Sequence, residues 1–200
     1  MRRKQGDKLE GESMSNRENL QPRFRQQANE LLRRLSPAER EAILVKCWMS
    51  HDARWFMAVA REYGMEAANR INQAAIHEIG KVEAPRVLRA LKLPRVETID
   101  DCLLAQEICI GLLGPDLLDY DVIRVNEDTY QVHVKRCFAH ENAIRVDVAD
   151  QFECGIFARS TGWLEALGMV YEMTPPLGKC LKVQGRECIC TFTFKGSLGF

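Results

Sequence analysis

Two sets of side chains have the chemistry to bind or react. One is His51-Asp52, adjacent within LVKCWMSHDARWFMAV (residues 44–59); the other is Cys137, Cys154, Cys180, Cys188 and Cys190, with His133 and His140 near them in sequence. An imidazole beside a carboxylate serves as an acid/base pair, as metal ligands or as a polar anchor for a ligand. Two to four thiolates with an imidazole close a tetrahedral zinc site, and the 17-residue separation of Cys137 and Cys154 is compatible with one. A thiol beside a base or cation is activated as a nucleophile, for which Cys137 near His140 and Cys154 near Arg159 qualify. No Cys-x-x-Cys pair occurs, and only one of Cys188 and Cys190 is expected to join a given cluster. Cys47, Cys102 and Cys109 lie among apolar residues and read as small hydrophobes.

The elements that position these groups follow from periodicity. Residues 1–21 are polar and aperiodic and read as a disordered tail, and Arg23 to Leu35 as a short helix. Ser36-Pro37-Ala38-Glu39 combines an N-cap, a proline at the first helical position and a reciprocal glutamate, so a central helix starts there and ends at Gly64. In that helix Leu44, Val45, Trp48, Met49, Trp55, Phe56 and Val59 form one broad apolar face, with His51 and Asp52 inside it. A polar pair directed at the core costs free energy unless satisfied. It therefore either bonds structural neighbours such as Asn72, or orients a ligand in a pocket with Trp55 and Asn72.

Met65 to Val82 reads as a second amphipathic helix with Ala68, Ile71, Ala75, Ile79 and Val82 inward, Pro85 restarts a short helix to Leu91, and Thr98 caps one from Ile99 to Leu113. From Tyr120 the period changes to two, giving a hairpin around Asn126-Glu127-Asp128, and a second hairpin is predicted from Cys180–Val183 and Cys188–Phe194. The expected fold class is α+β: a helical half (22–114) packed on a small antiparallel sheet from a mixed half (115–200), together one domain.

Composition narrows the function. Lys plus Arg and Asp plus Glu number 28 each and are mixed along the chain, so no field favours nucleic acid. The start lacks the apolar core of a secretory signal and no run is long enough to span a membrane, so the expectation is a cytoplasmic protein with free or metal-bound thiols. Phosphate loops, dinucleotide fingerprints and serine elbows are lacking.

His51-Asp52-x-x-Trp55, Gly64, Ala68-Asn69-x-x-Asn72, Cys137, Phe152-x-Cys154, Pro175-Pro176 and Cys190-x-Phe192-x-Phe194, in this order, resemble an uncharacterised prokaryotic family of unknown function. In style the cysteine-bearing half is similar to the 4-vinyl reductase domain, a small-molecule-binding module, and to the L-2-amino-thiazoline-4-carboxylic acid hydrolase family. The resemblance implies a fold without supplying an activity.

These readings lead to a small-molecule-binding domain with an apolar pocket between the central helix and the sheet. Its ligand residues are His51, Asp52, Trp55 and Asn72, and a metal site, for zinc or another divalent ion, is expected at Cys137, Cys154 and Cys190. The alternative is a metal- or thiol-dependent hydrolase of a small cyclic C–N bond; an interaction subunit whose thiols simply pack is a third reading. No nucleic-acid or membrane partner is expected, and a homodimer is, because the apolar helix faces exceed what one thin sheet can cover.

Overall fold

The computed structural model describes residues 20–114 and 117–197, with side chains to Lys195. Most of the expected tail and Pro115 lie outside these residues. The chain forms two compact units, Met1–Lys46 and Cys47–Phe200.

The described part of the first unit holds α1 (Gln21–Leu32) and the opening turns of α2 (Pro37–Leu91). The predicted cap is present: Glu39 N–H donates to Ser36 Oγ at 3.2 Å while Ser36 N–H donates to Glu39 Oε2 at 2.8 Å. No residue of α1 is buried.

In the second unit α2 is broken once, at Gly64, whose φ of 84° and ψ of 165° lie outside the helical region and favour glycine. The helix resumes and continues through Pro85 to Leu91, where the sequence suggested a fresh start. Packing carries it past the proline: Ala84 and Val87, on either side, bury against Cys109 and Trp163. The inward face is also turned from the predicted one. Ala68 is buried as predicted, but Ala75 and Val82 are exposed, and Asn69, Gly80, Ala84 and Val87 are buried in their place. The face is set by a close helix crossing, in which a Cβ on Gly80 would meet the Arg159 carbonyl oxygen at 2.5 Å and one on Gly162 the His77 carbonyl oxygen at 2.1 Å. Only glycines permit that approach.

α3 (Ile99–Leu113) starts with the predicted Thr98 cap, completed as a capping box by Asp101. Then come β1 (Leu118–Arg124), β2 (Thr129–Cys137), α4 (Phe138–Arg145), a 3-10 turn (Ala149–Gln151), α5 (Ile156–Ala166), β3 (Met169–Thr174) and β4 (Ile189–Ser197). The four strands form one antiparallel sheet in the order β1-β2-β4-β3. The fold is α+β, and β1–β2 is the predicted hairpin.

The second predicted hairpin is corrected. Residues 180–186 form hydrogen-bonded turns, with Gln184 N–H donating to Leu181 O and Gly185 at φ 68°, and β4 pairs with β2 and β3. The missed strand, MVYEMT (169–174), has the β-branched and aromatic content of a strand but is bounded only by Gly168 and Pro175. On β4 and the residue before it, Cys188, Cys190, Phe192 and Phe194 are all buried at a spacing of two, so the thiols continue the core stripe. Phe192 and Phe194 stack on Tyr130 of β2 with ring centroids 5.2 and 5.6 Å apart.

Candidate functional site

Four segments bring thiols to one cavity. Cys137 ends β2 and is the N-cap of α4, Cys154 lies one residue before the N-cap of α5, Cys180 opens the turn that follows Pro175-Pro176, and Cys188 leads into β4. Cys190 lines the same space from β4, and His140 lines it from α4. Backbone hydrogen bonds fix these segments against one another. Cys154 N–H donates to Gly178 O at 2.8 Å and Cys180 N–H to Phe152 O at 3.1 Å, which sets Cys154 and Cys180 on adjacent chains, while Val134 N–H donates to Cys188 O at 2.8 Å.

From α2, Asn69 holds the Cys154 segment with both ends of its buried amide: Nδ2 donates to Gln151 O at 2.6 Å and Oδ1 accepts from Glu153 N–H at 3.2 Å. Gln73 Nε2 adds a bond to Cys154 O at 3.3 Å. Neither residue stands out in the sequence as a positioning group. The available signal was a pair of amides four residues apart, on one helix face.

The cavity offers about 30 Å³. That accommodates a water-sized or ion-sized occupant, roughly a tenth of the several hundred Å³ that organic ligands need. Its wall is largely apolar, with Val134, Phe152, Phe157 and Leu181 beside the sulfurs and Lys179 and Lys182 at its edge. Burial pushes the Cys154 and Cys190 thiols up to about 12 and Cys188 to about 11, and raises Cys137 as well. Smaller effects oppose it: the His140 and Ala139 N–H groups favour the Cys137 thiolate, the Phe157 N–H favours that of Cys154, and the Lys182 ammonium favours those of Cys137 and Cys188. Cys137, Cys154, Cys188 and Cys190 are therefore protonated at neutral pH and weak as nucleophiles, unless a bound cation displaces their protons.

Cys137, Cys154 and Cys190 all line this cavity, and so does Cys188. The expectation that only one could join is corrected, because residues two apart in an extended chain share a face. No group of three or more His, Cys, Asp or Glu among the described residues is placed to hold a metal ion. Arg159, the expected activator of Cys154, instead makes a bidentate pair with Glu83, which also accepts from Trp163 Nε1 at 3.0 Å. The Arg159 guanidinium lies 4.9 Å from the centre of the Trp48 ring.

His51, Asp52 and Trp55 are elsewhere. Their expected inward orientation is corrected: the His51 and Asp52 side chains are 74% and 52% exposed, 3.6 Å apart, and Trp55 is 45% exposed. The helix turns Phe56 inward instead, edge-on to Phe152 at 5.8 Å. Asn72 is partly buried beside Gly155, where its Nδ2 would lie 3.4 Å from an added Cβ. No helix of the described residues is long and apolar enough to cross a membrane.

Fold and site together define an α+β protein with helices preceding a four-stranded antiparallel sheet and a thiol-lined cavity where the sheet meets two helix starts. A model described as a family of unknown function, DUF6125, matches residues 34–162, more than half of the chain, and the chain belongs to that family. Curated proteins yield no match.

Proposed function

We propose that the chain is a binding domain for a small soft ligand of ionic size, seated in the thiol-lined cavity. The observation that carries this is the cavity itself: five thiols from segments far apart in sequence line a space of about 30 Å³. Sulfur is the natural partner of Zn²⁺, Cd²⁺ and Cu⁺, and the space is too small for a drug-sized organic molecule. Hydrolysis of a small cyclic C–N bond is the second reading. Raised thiol pKa values favour its metal-dependent form over a thiol nucleophile.

The test is thermal melting of the full chain, reduced and freed of metal by chelation, with Zn²⁺ or Cd²⁺ then added. At 100 times Kd a ligand specific to the folded state adds about 2.7 kcal/mol, and a chain of this size gains roughly 2–4 °C per kcal/mol. The expected rise in Tm is lost in Cys137→Ser and Cys154→Ser and kept in His51→Ala and Trp55→Ala. No shift with any soft ion would end this reading; loss of the shift in the His51 and Trp55 variants alone would return the site to the central helix.

A further inference from the structure

We propose that two copies of the chain pair antiparallel through the free edge of β1, with a twofold axis at Val122 and the flank of α3 completing the interface. β1 ends the sheet, and among the described residues no strand pairs with its outer side.

The hydrogen bonding of β2 shows which backbone groups of β1 stay unpaired. Val134 N–H donates to Cys188 O at 2.8 Å, so the even-numbered residues of β2 face β4. Its odd-numbered residues therefore face β1, in phase with the bond from Val125 N–H to Thr129 O at 2.9 Å just past the strand. Asp121 and Ile123 stand opposite His133 and Gln131 and use those bonds. The N–H and C=O groups of Tyr120, Val122 and Arg124 then point away from the sheet. Such an edge is commonly blunted by lysine, proline, a bulge or free charge. The bulge in β1 lies between Asp119 and Tyr120, and from Tyr120 to Arg124 there is neither lysine nor proline. The charges there are matched within the chain, Asp121 by Lys135 at 2.8 Å and Arg124 by Asp100. Val122, Ile123 and, beyond the strand, Val125 are exposed.

Self-complementarity selects a second copy as the occupant. Tyr120 Oη donates to Glu107 at 2.8 Å and Arg124 pairs with Asp100, so the α3 face bearing these carboxylates overlies β1. Leu104 lies between them at helical spacing and is exposed. The surface has an apolar middle, Val122 and Leu104, with Glu107 toward one end and Arg124 toward the other. A twofold at Val122 lays middle on middle and brings Arg124 of each copy beside Tyr120 and Glu107 of the other. Among the described residues Glu107 accepts from Tyr120 alone, so its carboxylate has room for a cation. Val122 then exchanges backbone bonds with its own counterpart, and Tyr120 with Arg124. Moving the axis to residue 121 would set Asp121 against Asp121. Moving it to residue 123 would carry Tyr120 onto Asn126, outside the strand. An isologous pair of this kind closes on itself, leaving no β1 edge for a third copy.

Sedimentation velocity of the reduced full chain, with hydrogen exchange of individual amides, tests this. A dimer should form, and the outward amides of Tyr120, Val122 and Arg124 should exchange about tenfold more slowly or better as concentration rises through the dissociation constant. Val122→Lys and Leu104→Lys set like charges against each other near the axis. Each should raise the dissociation constant by roughly tenfold or more while leaving the far-UV circular dichroism unchanged. Mass and exchange of the parent protein need no variant, so a variant that fails to fold does not blunt the test. A chain monomeric at every concentration would overturn the proposal. So would a dimer whose slowing is confined to α1 and the start of α2, or one undiminished in Val122→Lys. None of these outcomes bears on the thiol-lined cavity, whose ligand is tested separately.

Discussion

Cys102 shows what burial does to a thiol outside the cavity. It is fully buried in α3, takes a weak bond from Gln106 Nε2 at 3.6 Å, and its thiol is pushed up to about 12, chiefly by desolvation. A thiol whose value is higher folded than unfolded holds its proton more tightly in the native state. Its contribution to stability is intact below the ordinary value of 9.0 and is lost as pH rises from there through about 12. In that window the slope is about 1.4 kcal/mol per pH unit from this group. Chemical denaturation of the chelated protein at a series of alkaline pH values should therefore show a steeper loss of stability for the parent than for Cys102→Ala; equal slopes would mean that the thiol is hydrated in the native state. The same comparison separates what was readable at this scale from what was not. That Cys102 and Cys109 are core residues was legible from their apolar neighbours, whereas Cys47, read in the same way, is exposed, because apolar neighbours alone do not say which side of a helix is covered. The orientation of His51, Asp52 and Trp55 was not, because an apolar stripe as broad as Leu44 to Val59 has two edges. Sequence does not say which edge the body covers, and the structure covers the side bearing Trp48 and Phe56.

At the scale of elements, capping chemistry and strand alternation were legible because they are local. Ser36 with Glu39, Thr98 with Asp101 and the Asn126-Glu127-Asp128 turn each act within a few residues, and each forms as its spacing predicts. What escaped depends on contacts distant in sequence. Pro85 is carried within α2 by Trp163 and Cys109, and the 180–186 segment turns because β4 has two other partners. The crossing of α2 and α5 is the clearest case. Gly80 and Gly162 meet backbone to backbone, with Glu83 and Arg159 paired one turn or less along each helix. A methyl group on either glycine would strike a backbone carbonyl, which cannot move aside as a side chain tip can. Gly80→Ala and Gly162→Ala should each cost about 3 kcal/mol or more by overpacking, well above the gain of roughly 1 kcal/mol that alanine brings to an exposed helix. Urea denaturation measures it. A neutral or stabilising effect in either variant would show that the helices can separate without loss. Because α5 begins at the Cys154 segment, the same variants should also weaken any ion-induced rise in Tm.

Across the whole molecule, stability is uneven in a way that burial makes explicit. The second unit buries Tyr130, Leu164, Phe192 and Cys102 almost completely. The described part of the first buries nothing in α1, a helix of 12 residues, and leaves Phe24, Leu31, Leu32, Ile43 and Leu44 roughly half exposed or more. A helix of that length without a buried face is marginal in water, since propagation barely offsets nucleation over so few turns. Local opening should then take little free energy in α1 and approach the global value in β2 and β4. Native-state hydrogen exchange at low protein concentration should find the amides of α1 exchanging orders of magnitude faster than those of β4. Repeating it at rising concentration tests the self-association expected from the surplus of apolar helix surface: slowing confined to α1 and the start of α2 means that a second copy covers these residues. Protection of α1 equal to that of β4 at the lowest concentration would contradict the argument, because it would require a cover for Phe24 and Leu31 within the chain itself.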